Sequence, residues 1–261
     1  METAIDKTET KKEKPTYLIA FILFGMYVSF GMSWMGVVPL FKEILTALNI
    51  GKSEGSWIIA VISMAKSIFP IVAGIVAARI GLNNALRISA VLIVFGVIIP
   101  WLQNYIFWLV ARFLFGVGGA MWVTLMGAAT MQIFSAKERP IVNAFNGVAV
   151  NIGVILALTF TISLSEKFGW QMTLSLYSLI SAIFAILLWI FGDISSEKAS
   201  NSDGSVKYTD TLKLPVTWII SISFTGPLAL YLVFNTWLPI YYQEAFNIPK
   251  LQTMGWMTWM N

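Results

Sequence analysis

Long apolar runs broken by short polar interruptions set the rhythm of this chain. About 20 consecutive apolar residues cross a bilayer as a helix, and seven such runs stand out, at about 16–41, 56–78, 85–102, 105–134, 140–164, 170–192 and 214–242. The start of an eighth lies at the end of the sequence, around Gly255 and Trp256. Glycine and proline inside several runs are compatible with membrane helices, which tolerate them better than soluble ones. The first run is too long for a signal-peptide core and has no small-residue cleavage site after it, so it is expected to stay as a helix. Residues 193–212 read DISSEKASNSDGSVKYTDTL and carry no apolar periodicity. Such a stretch predicts a solvated linker, dividing six helices from the seventh.

Composition agrees with a membrane protein. Of the 261 residues 57% are hydrophobic and 11% charged, with mean hydropathy +0.77, whereas an ordinary soluble domain is about a quarter charged. The chain has no cysteine and no histidine. That removes disulfides, thiolate chemistry, the usual zinc sites and histidine general bases, and no enzyme, cofactor or metal is expected. Of the seventeen Lys and Arg residues, eleven fall in the N-terminal tail and the segments on its side, four on the opposite side. The positive-inside rule then predicts a cytoplasmic N-terminus in a multi-pass protein of the cell (plasma) membrane. Trp57, Trp101, Trp108 and Trp170 are expected in an outer aromatic belt.

The two remaining basic residues, Lys66 and Arg112, lie within runs, while all thirteen acids lie in termini or loops. A charge at a helix centre costs about 2.5–3.5 kcal/mol on insertion scales, so both cations should face the bundle interior. Lys66 falls near the bilayer middle, about 14 Å from Trp57 at 1.5 Å per residue, on a face shared with Ser63, Pro70 and Gly74. It suits either a water-filled cavity or hydrogen bonds to carbonyls. Arg112 suits either an anion or the carbonyls of the first helix. Asn151 comes level with Lys66, about 16 Å into the fifth run. There its amide can serve a small anion or an interhelical hydrogen bond. Trp34 in the first run and Tyr231 in the seventh are candidate cavity residues, each weighed against plain packing. Gly116, Gly118 and Gly119 beside Arg112 predict close helix approach, since no strand precedes them to make a dinucleotide site.

Six helices, a long loop on the N-terminal side and then a further helix resemble the major facilitator superfamily of secondary transporters. The local signatures carry the resemblance further. Gly74, Arg79 and Gly81 match the family's loop between helices 2 and 3, with Ala78 where an aspartate is usual. Arg112, Gly116 and Gly118 match the Arg-x-x-x-Gly-x-Gly pattern of helix 4. Glu138-Arg139 and Phe168-Gly169-Trp170 add weaker matches. The run Gly147 to Gly153 around Asn151 loosely resembles nitrate/nitrite and cyanate-type members.

The resemblance implies an all-α membrane fold, with helices 1, 2, 4 and 5 around a cavity and helices 8–12 absent. The implied division is a tail at 1–15, a six-helix bundle at 16–192, a cytoplasmic linker at 193–213, and helix 7 with the start of helix 8 at 214–261. It implies alternating-access transport of a small solute across the lipid bilayer, coupled to a proton or sodium ion, without nucleic acid. Two intramembrane cations without an intramembrane acid point to an organic or inorganic anion. A proton-coupled drug exporter is the alternative within the superfamily, although its usual membrane carboxylate is missing. A seven-helix membrane sensor is the alternative outside it. Retinal would need a lysine in the last helix, and residues 214–242 contain none.

Overall fold

The computed structural model describes residues 16–192, 194 and 213–260; the N-terminal tail and most of the linker lie outside the described residues. The elements are α1 (Thr16–Met35), α2 (Phe41–Leu48), α3 (Lys52–Ile80), α4 (Leu82–Val94), α5 (Tyr105–Ile133), α6 (Arg139–Phe168), α7 (Trp170–Phe191), α8 (Pro215–Ala245) and α9 (Lys250–Met260). Two short 3₁₀ turns, Phe95–Val97 and Ile99–Trp101, extend α4. Among the described residues six helices are long and apolar enough to cross a membrane: α1, α3, α4 with its turns, α5, α6 and α7. The seventh predicted span is α8, which runs through Pro227 and Pro239.

Two boundaries differ from the sequence expectation. The first run does not reach residue 41 as one helix: α1 ends at Met35, and turns through Gly36–Leu40 lead into the separate α2. Pro39 is the physical reason, because a proline has no N–H to give and its ring clashes with the carbonyl four residues back. The short α2 is amphipathic, burying Phe41, Ile44 and Leu48 and exposing Lys42 and Glu43. The third run breaks into 3₁₀ turns after Val94, around Gly96 and Pro100.

Small residues let the helices of the bundle close up, as expected where lipid supplies no hydrophobic drive between helices. Helix α5 is the hub. A Cβ at Gly116 would meet Ile62 and Ala65 of α3 at 3.1 Å, and one at Gly118 would meet Leu92 of α4 at 2.8 Å. A Cβ at Gly119 would run into the Phe30 ring of α1. On the other side, a Cβ at Gly31 of α1 would meet the Val150 carbonyl oxygen of α6 at 2.5 Å and the Gly153 Cα at 3.3 Å. Buried hydroxyls stitch α1 to α7, through Ser33 with Ser178 (3.0 Å) and Ser181 donating to Ser29 (2.8 Å). Thr161 of α6 pairs with the Tyr177 hydroxyl of α7 at 2.8 Å. Large side chains fill what remains, with Trp108, Trp122, Phe30 and Phe115 fully buried.

Trp57 and Trp101 are exposed, as a belt requires, but Trp108 is completely buried and cannot belong to one. Inside the bundle the Arg112 guanidinium carbon lies 5.5 Å from the centre of the Trp108 ring, and the indole N–H has no acceptor among the described residues. The loop signature plays a turn role. Gly81, at φ +87°, ends α3 and opens α4, a conformation that glycine adopts at no steric cost. Arg79 is exposed and has no ion pair among the described residues.

Candidate functional site

Three helices converge on one aromatic platform. Tyr27, Phe30 and Trp34 follow one another up α1, and their rings stack in sequence at 5.8 and 6.2 Å between centroids. Phe115 of α5 stacks on Phe30 at 4.9 Å. Onto this platform α3 lowers Lys66. Its ammonium sits 3.3 Å from the centre of the Trp34 ring and 5.2 Å from that of Phe30. The lysine stands at the middle of the 29-residue α3, hence near the middle of the bilayer.

The backbone beneath Lys66 is unusual too. Pro70, four residues on, has no N–H to give to the Lys66 carbonyl, so the helical ladder lacks one rung at that depth. The ammonium, on a half-buried residue, has neither a carboxylate nor a hydrogen-bond acceptor among the described residues. The Nε1–H of Trp34 is buried and likewise without an acceptor, in a residue only 4% exposed. Two donors, one of them charged, therefore stand side by side with no oxygen to receive them.

Arg112 meets a different environment. It is 2% exposed, and its Nε donates to the Ile58 carbonyl of α3 at 2.8 Å. Its Nη2 donates to the Trp34 carbonyl of α1 at 3.2 Å. The arginine thus ties α1 and α3 to α5. By holding the backbone of Trp34, it also fixes the ring over which Lys66 rests. A cavity of about 10 Å³, the size of a single water, lies against it between Ser33, Trp108 and Ser178.

On the far wall, Tyr231 of α8 donates to the Asn151 Oδ1 of α6 at 3.4 Å, a long and therefore weak contact. Both residues are half-buried. Gly147, one turn before Asn151, has nothing within 4 Å of where a Cβ would stand, so this side of α6 is open. Asn146 is instead buried and donates to the Thr130 hydroxyl at 3.0 Å. The structure therefore brings Lys66, Trp34 and Arg112 into one cluster and pairs Asn151 with Tyr231 separately.

Three features have no counterpart in the sequence analysis. Phe30 completes the platform, though nothing distinguishes it from other aromatics of a greasy helix. At the end of the bundle opposite the N-terminus, Lys52 pairs with Glu244 and Lys250 with Glu43, each at 2.7 Å. Phe41 packs edge-on against Trp237 there. Near the N-terminal end, an open groove of about 360 Å³ runs between α1 and α6, lined by Phe21, Phe24, Ile141 and Phe145. At that end Glu138 also accepts from the Tyr17 hydroxyl (3.1 Å) and from the Ser135 hydroxyl and N–H. The Ser135 donors, and then the Tyr17 hydroxyl, hold its carboxyl below the ordinary glutamate range.

The arrangement of these helices matches a known class of membrane transporter. Residues 23–260 match the family model of the Major Facilitator Superfamily, and the chain belongs to that family. It is 27% identical over 234 residues to an uncharacterized protein of Campylobacter jejuni, covering 89% of this chain and 73% of that one. It is 26% identical to the nitrite extrusion protein of Bacillus subtilis, covering 83% and 54%. To the probable nitrate transporter NarT of Staphylococcus haemolyticus it is also 26% identical, covering 92% and 62%. The chain thus spans between about half and three-quarters of the length of these relatives. A crystal structure of a D-xylose-proton symporter superposes with a TM-score of 0.65 over 93% of this chain and 65% of that one, at 16% identity. The Escherichia coli xylose transporter XylE, in a partially occluded inward-open conformation, gives 0.63 over 92% and 69%, at 18% identity. At such identities these structures speak for the fold alone. The chain is a multi-pass membrane protein of a transporter family.

Proposed function

We propose that the protein moves a small inorganic anion by alternating access and that Lys66 and Trp34 provide the central contacts to it. The observation that carries this reading is the pair of unreceived donors at mid-membrane, the Lys66 ammonium and the Trp34 indole N–H. Two aromatic faces stabilise the ammonium by about 2 kcal/mol when desolvated. That is less than the roughly 2.5–3.5 kcal/mol a cation costs at a helix centre. An arriving anion completes the offset and accepts from both donors. A cation would face repulsion in a low-dielectric cavity, and a neutral sugar would leave the charge uncompensated. The named nitrite and nitrate transporters among the relatives support the same substrate class.

Arg112 serves this site as a positioning residue that keeps Trp34 beneath Lys66, with direct contact to the solute open to it through its remaining donors. Asn151 and Tyr231 form the facing wall. In this reading the stretch at residues 193–213 divides the six-helix unit from α8 and α9, and the lysine and arginine distribution supports a cytoplasmic N-terminus. In that orientation the two ion pairs close the outer end, and the groove between α1 and α6 opens inward. Coupling to a proton or sodium ion fits the family pattern.

The test is transport by the native protein in proteoliposomes. Saturable uptake of ¹⁵N-labelled nitrite or nitrate, competed by other small anions and unaffected by xylose, is expected. Saturable transport of a neutral or cationic solute with no competition by anions would contradict the proposal.

A further inference from the structure

A second lone cation lies away from the central platform, on the lipid-facing side of the bundle. Arg87 stands five residues into α4, about 7.5 Å along the helix at 1.5 Å per residue. Trp189 stands two residues before the end of α7. Because α4 begins and α7 ends at the N-terminal side of the bundle, both residues sit within two turns of the same membrane interface. The guanidinium carbon of Arg87 lies 5.2 Å from the Trp189 ring. Its Nε is buried and unpartnered, and the residue has no ion pair among the described residues.

Around this pair runs an open groove of about 710 Å³, within the usual size range of ligand sites, about 300–1,000 Å³. Asn84 lies at its interfacial end, and Ile88, Val91 and Leu92 carry it deeper along α4. Ile88, Val91 and Trp189 are exposed here, at 44%, 55% and 56%. The groove is therefore amphipathic along its length, with a cation and an amide at headgroup depth and branched aliphatic side chains below. An arginine merely reaching for the interface would extend its whole head into water. Here the side chain is stacked on an indole instead, and its buried Nε is short of an acceptor.

We propose that this groove holds one anionic phospholipid of the leaflet on the N-terminal side, its phosphate on Arg87 and its acyl chain along Ile88, Val91 and Leu92. Basic pockets between membrane helices recognise anionic headgroups in this way. A phosphate oxygen accepts from the outer N–H groups of the Arg87 guanidinium, the indole face of Trp189 keeps the fork oriented, and the chain fills the groove. Zwitterionic lipids offer the same chain but no net charge, so selectivity rests on Arg87. The proposal does not depend on which solute the transporter moves.

The test uses the native protein in phosphatidylcholine vesicles carrying a trace of phosphatidylglycerol with a photoreactive acyl chain, followed by mapping of the labelled peptides. Labelling at α4 and the end of α7 is expected, exceeding that by the equivalent phosphatidylcholine probe by about fivefold. Arg87→Gln should remove that excess, and Arg87→Lys, which keeps the charge, should retain most of it. Should Arg87→Gln fold poorly, the wild-type comparison between the two probes carries the test by itself. Equal labelling by the two probes would overturn the proposal. So would an unchanged excess in a folded Arg87→Gln protein, or loss of labelling on adding inorganic phosphate, which would mark a site for free anions instead.

Discussion

Lys66 and Arg112 are the two basic residues at membrane depth in the bundle, and the protein treats them in opposite ways. Arg112 gives its donors to two carbonyls, and thereby joins three helices. Lys66 rests on two rings and has no acceptor among the described residues. The difference follows from shape. A planar guanidinium reaches two backbone oxygens on different helices from one position, whereas an ammonium is a point charge that a ring face can hold loosely. A satisfied cation acts as a fastener; the unsatisfied one is the receptor for negative charge in the function proposed above.

The contrast breaks most visibly at Arg112. Arg112→Leu leaves two carbonyls without charged donors, each such bond contributing about 1.5–3 kcal/mol. Folded yield should fall sharply, with a loss of roughly 3–6 kcal/mol in a reversible detergent-unfolding assay. Arg112→Lys should recover little, because one ammonium cannot bridge Ile58 and Trp34 as the fork does. Near wild-type stability in either variant would remove the fastener role.

A smaller effect is expected beneath Lys66. Gly119→Ala puts a methyl into the Phe30 ring, and overpacking of this kind costs about 1–3 kcal/mol. Since Phe30 carries part of the Lys66 platform, substrate affinity should fall together with stability. Gly147→Ala, which meets nothing within 4 Å, should leave folding unchanged and serves as its control. Trp34→Phe keeps a ring under Lys66 but deletes the indole N–H. A neutral hydrogen bond is worth about 0.5–1.5 kcal/mol, so affinity should drop by roughly twofold to tenfold at constant folded yield.

How much of this was legible beforehand depends on the kind of signal. Membrane helices announce themselves by uninterrupted apolar length, so six spans and the seventh run were readable to within a few residues. Breaks inside them were not. Gly36 and Pro39 end α1, and Gly96 and Pro100 loosen the end of α4, yet the same residue types are tolerated within α3 and α8. Lys66 and Arg112 stood out because a charge in an apolar run is conspicuous. For Arg112 the sequence leaves an anion and the carbonyls of the first helix both open, because no side chain marks a backbone carbonyl as an acceptor. Phe30 gives no signal for a related reason: one more aromatic in a run rich in them carries no contrast. The ion pairs of Lys52 and Lys250 join residues about 200 positions apart, beyond any helical periodicity.

The smallest effect concerns the loop between α5 and α6. The folded-state pKa of Glu138 is lowered, so its contacts with Tyr17 and Ser135 are favoured above the ordinary carboxylate range. They are lost as pH falls through the lowered value. Hydrogen exchange of the Ser135 amide should accelerate in acid relative to neighbouring loop amides after correction for intrinsic rates. Glu138→Gln should remove that pH dependence. Exchange that ignores pH in the wild type would show that the loop does not lean on the carboxylate.

The receptor role of Lys66 is tested most directly by the apparent KM of the native protein for its anion in Lys66→Gln, with uptake normalised to folded protein. Glutamine keeps similar length and a donor but removes the charge. If Lys66 receives the anion, KM should rise at least about tenfold, or roughly 1.4 kcal/mol, with folded yield near that of the wild type. Lys66→Arg should be milder, since it keeps the charge and changes only the donor geometry. An unchanged KM in Lys66→Gln, or a loss of folded protein with affinity intact, would make Lys66 a second fastener and contradict the account.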